Sequence, residues 1–84
     1  MTYTVHPDAE RDLAEASEFY VRQAGAVVAR RFLAEFERVA QLVDRAPEAG
    51  ADIRANRRKF HLAVFPYTVV YRKLGTGMLI SAKI

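Results

Sequence analysis

Residues 57–72 read Arg57-Arg58-Lys59-Phe60-His61-Leu62-Ala63-Val64-Phe65-Pro66-Tyr67-Thr68-Val69-Val70-Tyr71-Arg72, and their period decides the fold. Phe60, Leu62 and Val64 alternate with Lys59, His61 and Ala63, the two-residue repeat of a strand with one apolar face. Phe65-Pro66 marks a turn or strand break. Tyr67, Val69 and Tyr71 then alternate with Thr68, Val70 and Arg72, which predicts a second strand with both tyrosines in or against the core. Leu74-Gly75-Thr76-Gly77 reads as a hairpin turn and Met78 to Lys83 as the last strand. Three strands joined this locally form an antiparallel meander.

Before Gly50 the repeat is helical. Thr2-Tyr3-Thr4-Val5 is β-prone and predicts a short opening strand, ended by His6-Pro7, since proline suits the first position of a helix. Asp8 and Glu10 follow in the first helical turn, where carboxylates complement the exposed N–H groups. Ala9, Leu13, Ala16 and Tyr20, widened by Phe19, form one apolar stripe as far as Gln23, and Gly25 breaks it. Phe32, Phe36, Val39 and Val43 carry a second stripe over Val27 to Arg45, with Arg31–Glu35 and Glu35–Arg38 spaced to pair along the exposed face. Ala46-Pro47-Glu48-Ala49-Gly50 ends that helix. So short a link predicts an antiparallel helical hairpin. The whole is an α+β domain spanning residues 1–84, ordered β-α-α-β-β-β, with the hairpin packed on a small antiparallel sheet.

Composition limits the chemistry. Of 84 residues 43 are apolar, but 14 of these are alanine, so the material suffices for one thin core and no deep substrate cavity. Cysteine is absent, which excludes thiolate catalysis and iron–sulfur or cysteine-based zinc sites and argues for a reducing compartment. The start Met1-Thr2-Tyr3-Thr4-Val5-His6 lacks the pattern of a secretion signal, and no apolar run is long enough to span a bilayer. The expectation is a cytoplasmic protein without a membrane partner. His6 and His61 stand alone with no metal-ligand spacing, so neither a metal nor a cofactor is expected, and His6 reads as a helix-start residue. Gly75-Thr76-Gly77 lies between strands rather than before a helix, so it is a turn and not a phosphate loop. Glu15 and Glu18 read as a solvated helix face.

The net charge of +3 divides unevenly. Residues 1–48 hold six Lys/Arg against nine Asp/Glu, whereas residues 49–84 hold seven Lys/Arg against Asp52 alone. Arg54, Arg57, Arg58 and Lys59 fall just before and into the first meander strand, and Arg72, Lys73 and Lys83 lie on the strands beside it. His61, Tyr67 and Tyr71 are interleaved with them. Arginine forks bind phosphate or carboxylate two bonds at a time, so the cluster reads as a surface for an anionic partner. Cations that keep exposed strands from aggregating give the same pattern, and the sequence leaves both readings open.

The stretch Arg57–Arg72, with a basic pair leading into a strand, a Phe-Pro-Tyr corner and a Val-Val-Tyr-Arg strand, resembles the signature of the ParE/RelE toxin superfamily. His6-Pro7-Asp8-Ala9 with Asp12-Leu13, Glu15-Ala16 and Phe19-Tyr20 is similar to that family's opening helix. Arg31-Phe32 with Phe36 is similar to its second, and the Ala46–Gly50 break is also typical. The resemblance covers essentially the whole chain and falls on the ParE branch. It implies a bacterial type II toxin–antitoxin, or plasmid stabilization, system, in which a cognate antitoxin folds along the helical hairpin and sheet edge and forms a hetero-oligomer. The residues this chain would offer the antitoxin are Leu13, Phe19, Tyr20, Phe32 and Phe36.

ParE members poison DNA gyrase without catalysing a reaction, and Arg57, Arg58, Lys59, Arg72 and Lys83, which gather on the basic half, are the residues expected to meet that target. RelE members instead cut mRNA on the ribosome, and on that alternative His61, Arg58 and Arg72 would surround the scissile phosphate. A third alternative is a degenerate member that binds antitoxin without toxicity. Relatives usually continue past the last strand with a histidine- and arginine-rich tail, whereas this sequence reads Ser81-Ala82-Lys83-Ile84 with Lys83 near the histidine position. That departure weighs against the ribonuclease and leaves toxic potency open.

Overall fold

A computed structural model describes residues 3–75 and 77–82. Its elements are strand β1 (Tyr3–Val5), helices α1 (Pro7–Ala24) and α2 (Ala26–Arg45), a 3₁₀ turn (Pro47–Ala49), and strands β2 (Ala51–Asp52), β3 (Arg58–His61), β4 (Thr68–Leu74) and β5 (Gly77–Ala82). The expected order β-α-α-β-β-β is present, with β2 as a short addition. The sheet is mixed, in the order β1-β5-β4-β3-β2, because β1 runs parallel to β5 while the other neighbours are antiparallel. Thr76, part of the expected turn, and Lys83, the expected end of β5, lie outside the described residues.

Helix α1 starts where the dipeptide His6-Pro7 predicts. The His6 ring Nδ1 accepts the Asp8 N–H at 3.0 Å, and Pro7 occupies a position whose N–H would have no partner. A single residue, Gly25, both ends α1 and begins α2, with φ 93° and ψ 167°. No side chain caps α2. Its apolar stripe compensates, because Phe32, Val39 and Val43 are fully buried against the sheet residues Val69, Tyr71 and Ile80. Above them an aromatic stack joins the hairpin to the strand corner, with Phe32 lying 5.4 Å from Phe65 and 5.1 Å from Tyr67 between ring centroids.

Three expectations need correction. Val64 does not extend the inward row of Phe60 and Leu62; it is 96% exposed, with φ 75°. The ladder stops earlier because Pro66 has no N–H, so Leu62 N–H to the Tyr67 carbonyl, at 2.9 Å, is the last rung and Val64 stands at the apex of the loop. Strand β4 does not alternate either, since residues 67–71 are all buried. It is the central strand, so even its outward residues are flanked on both sides: Val70 sits between Lys59 and Ala82, and Thr68 lies 2.6 Å from the His61 ring. Finally, Glu35 pairs with Arg38 as its spacing predicts, but the carboxylate itself is largely covered. Its side chain is 14% exposed, Arg38 grips it with two bonds of 2.8 Å, and it accepts the Ala63 N–H at 2.8 Å.

The strand β2, which periodicity missed, is two residues long and is carried by a tight reversal. Arg57 N–H reaches the Arg54 carbonyl at 3.2 Å, with Ala55 at φ 61° and Asn56 at φ 60° between them. Two consecutive positive φ angles are the requirement of a type I′ hairpin turn, which usually announces itself by glycine. Here an alanine stands at the first position, so the usual signal is absent.

Candidate functional site

Two surfaces merit description, one basic and one apolar. The basic one is a pocket of about 210 Å³ where the 3₁₀ turn, the Ala55-Asn56 reversal and β4 meet. Arg58, Arg72, Lys73, Asn56 and Glu48 line it, over Pro47 and Tyr71. Gly50 helps hold three of these lining residues, Pro47, Arg58 and Tyr71, in one hydrogen-bonded group. The Gly50 N–H donates to the Tyr71 hydroxyl at 2.8 Å, that hydroxyl donates to the Pro47 carbonyl at 2.8 Å, and Arg58 Nη1 donates to the Gly50 carbonyl at 2.8 Å. Burial pushes the Tyr71 phenol up from its ordinary value, so it stays a neutral donor. A side chain on Gly50 would collide with the Tyr71 hydroxyl and lie 2.7 Å from the Lys59 carbonyl.

The sequence-picked cations divide between places. Arg58 and Arg72 line the pocket, and Lys73, not among the residues expected to meet a target, joins them. Arg57 is half-buried and its Nε donates to the Arg54 carbonyl at 3.3 Å. Lys59 pairs in register with Val70, one residue on from the Arg58–Tyr71 pair, so it points from the opposite face of β3. Lys83 lies outside the described residues. Arg58 is 3.8 Å from Asp52, but Arg72 and Lys73 form no ion pair among the described residues. On the helices Arg11, Arg22 and Arg38 are paired with Asp8, Glu18 and Glu35, while Arg30, Arg31 and Arg45 form no ion pair among the described residues. The histidine is not brought to the arginines. His61 lies at the other end of β3 from Arg58, three residues along and on the other face, with Thr68 as its partner.

The apolar surface is a pair of adjoining troughs on the helical hairpin, sharing Leu13 and Leu33. The first, about 430 Å³, adds Tyr3, Ala34 and Phe36, with Arg30 and Glu37 also lining it. The second, about 490 Å³, adds Ala14, Ser17 and Val21, with Glu10 and Glu18. Burial first, and the charges of Glu37 and Asp44 second, raise the Tyr3 phenol above its ordinary value. Of the residues expected to meet a partner, Leu13 and Phe36 line the troughs. Phe19 is 49% exposed and stacks edge-on against Tyr20, which is half-buried under Phe65. Phe32 has no exposed surface and is corrected from contact residue to core, because the aromatic stack closes over it. Leu33 and Val21, apolar residues beside the main stripes, complete the troughs.

The backbone is similar to that of a chain from the chromosomal ParDE toxin–antitoxin system from P. aeruginosa, with a TM-score of 0.83. The two are 19% identical, and the match covers 99% of this chain and 92% of that one, a likeness of fold. Residues 3–82 match the family model of the ParE toxin of the type II toxin–antitoxin system parDE. The protein is thus a type II toxin by class; within that class it belongs to the ParE toxin family. No curated protein matches it. Among the described residues no helix is long and apolar enough to cross a membrane, and no group of side chains is suited to a metal ion.

Proposed function

We propose that this ParE family member acts in the cytoplasm by binding DNA gyrase, without catalysing a reaction, and is held inactive by a cognate antitoxin. The observation that carries this reading is the family match over residues 3–82. The division of surfaces supports it. A partner helix or extended segment that filled the apolar troughs at Leu13, Leu33 and Phe36 would leave the pocket at Arg58 and Arg72 on its own side of the molecule. Arg57, Lys59 and Lys83 belong to the same proposed target contact. The separation of His61 from Arg58 speaks against a ribonuclease centre.

The test is a supercoiling assay with purified gyrase and the full chain, followed by titration of the antitoxin. Inhibition with trapped cleaved DNA, reversed by antitoxin, is the expected result. Unaltered supercoiling together with cleavage of ribosome-bound mRNA would overturn the gyrase target. Leu33→Asp, at a residue 39% exposed, should leave inhibition intact while weakening antitoxin reversal.

A further inference from the structure

We infer that the pocket between the 3₁₀ turn and β4 receives a backbone phosphate of duplex DNA, so that the chain has a direct DNA contact of its own. This goes beyond the gyrase target and does not depend on it. Three observations carry the inference.

The first is the state of the cations. Arg72 and Lys73 line the pocket together with Arg58, and neither forms an ion pair among the described residues. Arg58 keeps one guanidinium nitrogen on the Gly50 carbonyl and is held in place by it, and Asn56 adds a neutral polar residue to the lining. Donors fixed in this way suit an oxyanion, and the charge that Arg58, Arg72 and Lys73 bring to the lining matches a phosphate.

The second is distribution. The cations do not stop at the pocket: Arg54 and Arg57 continue at the turn of the β2–β3 hairpin, while Lys59 lies on the opposite face of β3. A stripe of charge matches a polymer with a phosphate at every step, while a single carboxylate of a protein partner would need only the pocket.

The third is orientation. Residues 1–48 carry an excess of three negative charges, and residues 49–84 an excess of six positive ones. Such a dipole turns the hairpin face toward a polyanion and the helices away from it. Glu48 lines the pocket and Asp52 lies near Arg58, so the pocket is moderated rather than purely cationic.

The experiment measures binding of the full chain to a short fluorescein-labelled DNA duplex by anisotropy, across a range of salt and without gyrase. The logarithm of the binding constant should fall against the logarithm of salt with a slope of about −2 to −3, as two or three neutralised phosphates require. The Arg72→Gln/Lys73→Gln variant should reduce the magnitude of that slope by about 2. Both side chains are exposed, so its circular dichroism melt should match the parent. Arg31→Gln, an equal charge change per site on α2 outside the pocket, should leave the slope nearly as it was.

Absence of binding at low salt, or a slope unchanged in the double variant, would overturn the inference. So would a glutamate-rich peptide that binds as tightly as DNA with the same dependence on Arg72 and Lys73, since the pocket would then serve a protein carboxylate. A chain that binds DNA but leaves gyrase active would sink only the proposed function. One that inhibits gyrase but binds no duplex would sink only this contact.

Discussion

Gly50 and Tyr71, 21 positions apart in the chain, are joined by a 2.8 Å hydrogen bond from the glycine N–H to the buried phenol oxygen. The same oxygen passes its own proton toward the Pro47 carbonyl, so one side chain ties the end of the helical hairpin to the central strand. Tyr71→Phe should therefore lower stability by about 1–3 kcal/mol, because it strands a buried N–H and a carbonyl. Gly50→Ala should do similar damage, about 1–3 kcal/mol, by overpacking. Combined, the two changes should cost less than their sum, since removing the hydroxyl removes one of the collisions. Chemical denaturation of the four proteins measures this; strict additivity would contradict the geometry.

Glu35 couples α2 to the loop before β4. The bond from Arg38, opposed by burial and aided by the Ala63 N–H, brings its carboxyl from the ordinary 4.5 down to about 2. A depressed carboxylate stabilises the fold above its unfolded value, and that contribution is lost as pH falls toward the folded one. The parent should exceed Glu35→Gln in stability by about 1–2 kcal/mol at neutral pH, a range discounted because Arg38 is largely exposed. Between pH 4.5 and about 2 the two curves should converge. A gap that stays constant over that window would show that the carboxylate charge is irrelevant.

Gly25 is the entire link between the helices. Its φ of 93° and ψ of 167° fall in a region open almost only to glycine, and nothing lies within 4 Å of the position a Cβ would take. The cost of Gly25→Ala, about 1–3 kcal/mol, should thus come from the backbone alone. Asparagine, which tolerates the left-handed helical region, should give no relief, because a ψ of 167° lies outside it. Thermal melts of the two variants should coincide within error.

Ala55 and Val64 present the opposite opportunity. Both hold positive φ, 61° and 75°, with side chains in solvent. Ala55→Asn and Val64→Asn should each raise stability by about 0.5–1 kcal/mol by easing left-handed strain. A loss of stability on Val64→Asn would mean that the apex valine makes a contact in solution that its 96% exposure does not suggest.

Much of this architecture is legible in local chemistry. His6-Pro7 starts α1, Gly25 ends it, and the change of period after Gly50 separates helices from strands. What escapes periodicity is whatever depends on residues far apart. Val64 has the right spacing for an inward strand residue, yet Pro66 ends the ladder before it. Glu35 has the spacing of a surface ion pair, yet Ala63 arrives from 28 residues away to use it. At the site, the cations were visible as a cluster, but not the pleat that turns Lys59 away from Arg58 and admits Lys73. The troughs were harder still, because Leu33 and Val21 lie off the buried stripes and gain meaning only when two helices are laid side by side.

The parallel pairing of β1 with β5 has a consequence for how the protein comes into being. Tyr3 lies in register with Met78 and Val5 with Ile80, so β1 has no partner in the sheet until β5, more than seventy residues on, has formed. Closing so long a loop carries an entropic cost, and contacts of this range form late. The helical hairpin and the β3–β4 ladder rest on nearer contacts, but the edge beside the Tyr3 trough is finished only once β5 has joined β1. Folding of the sheet therefore closes on β1, which has no partner in it until β5 is in place.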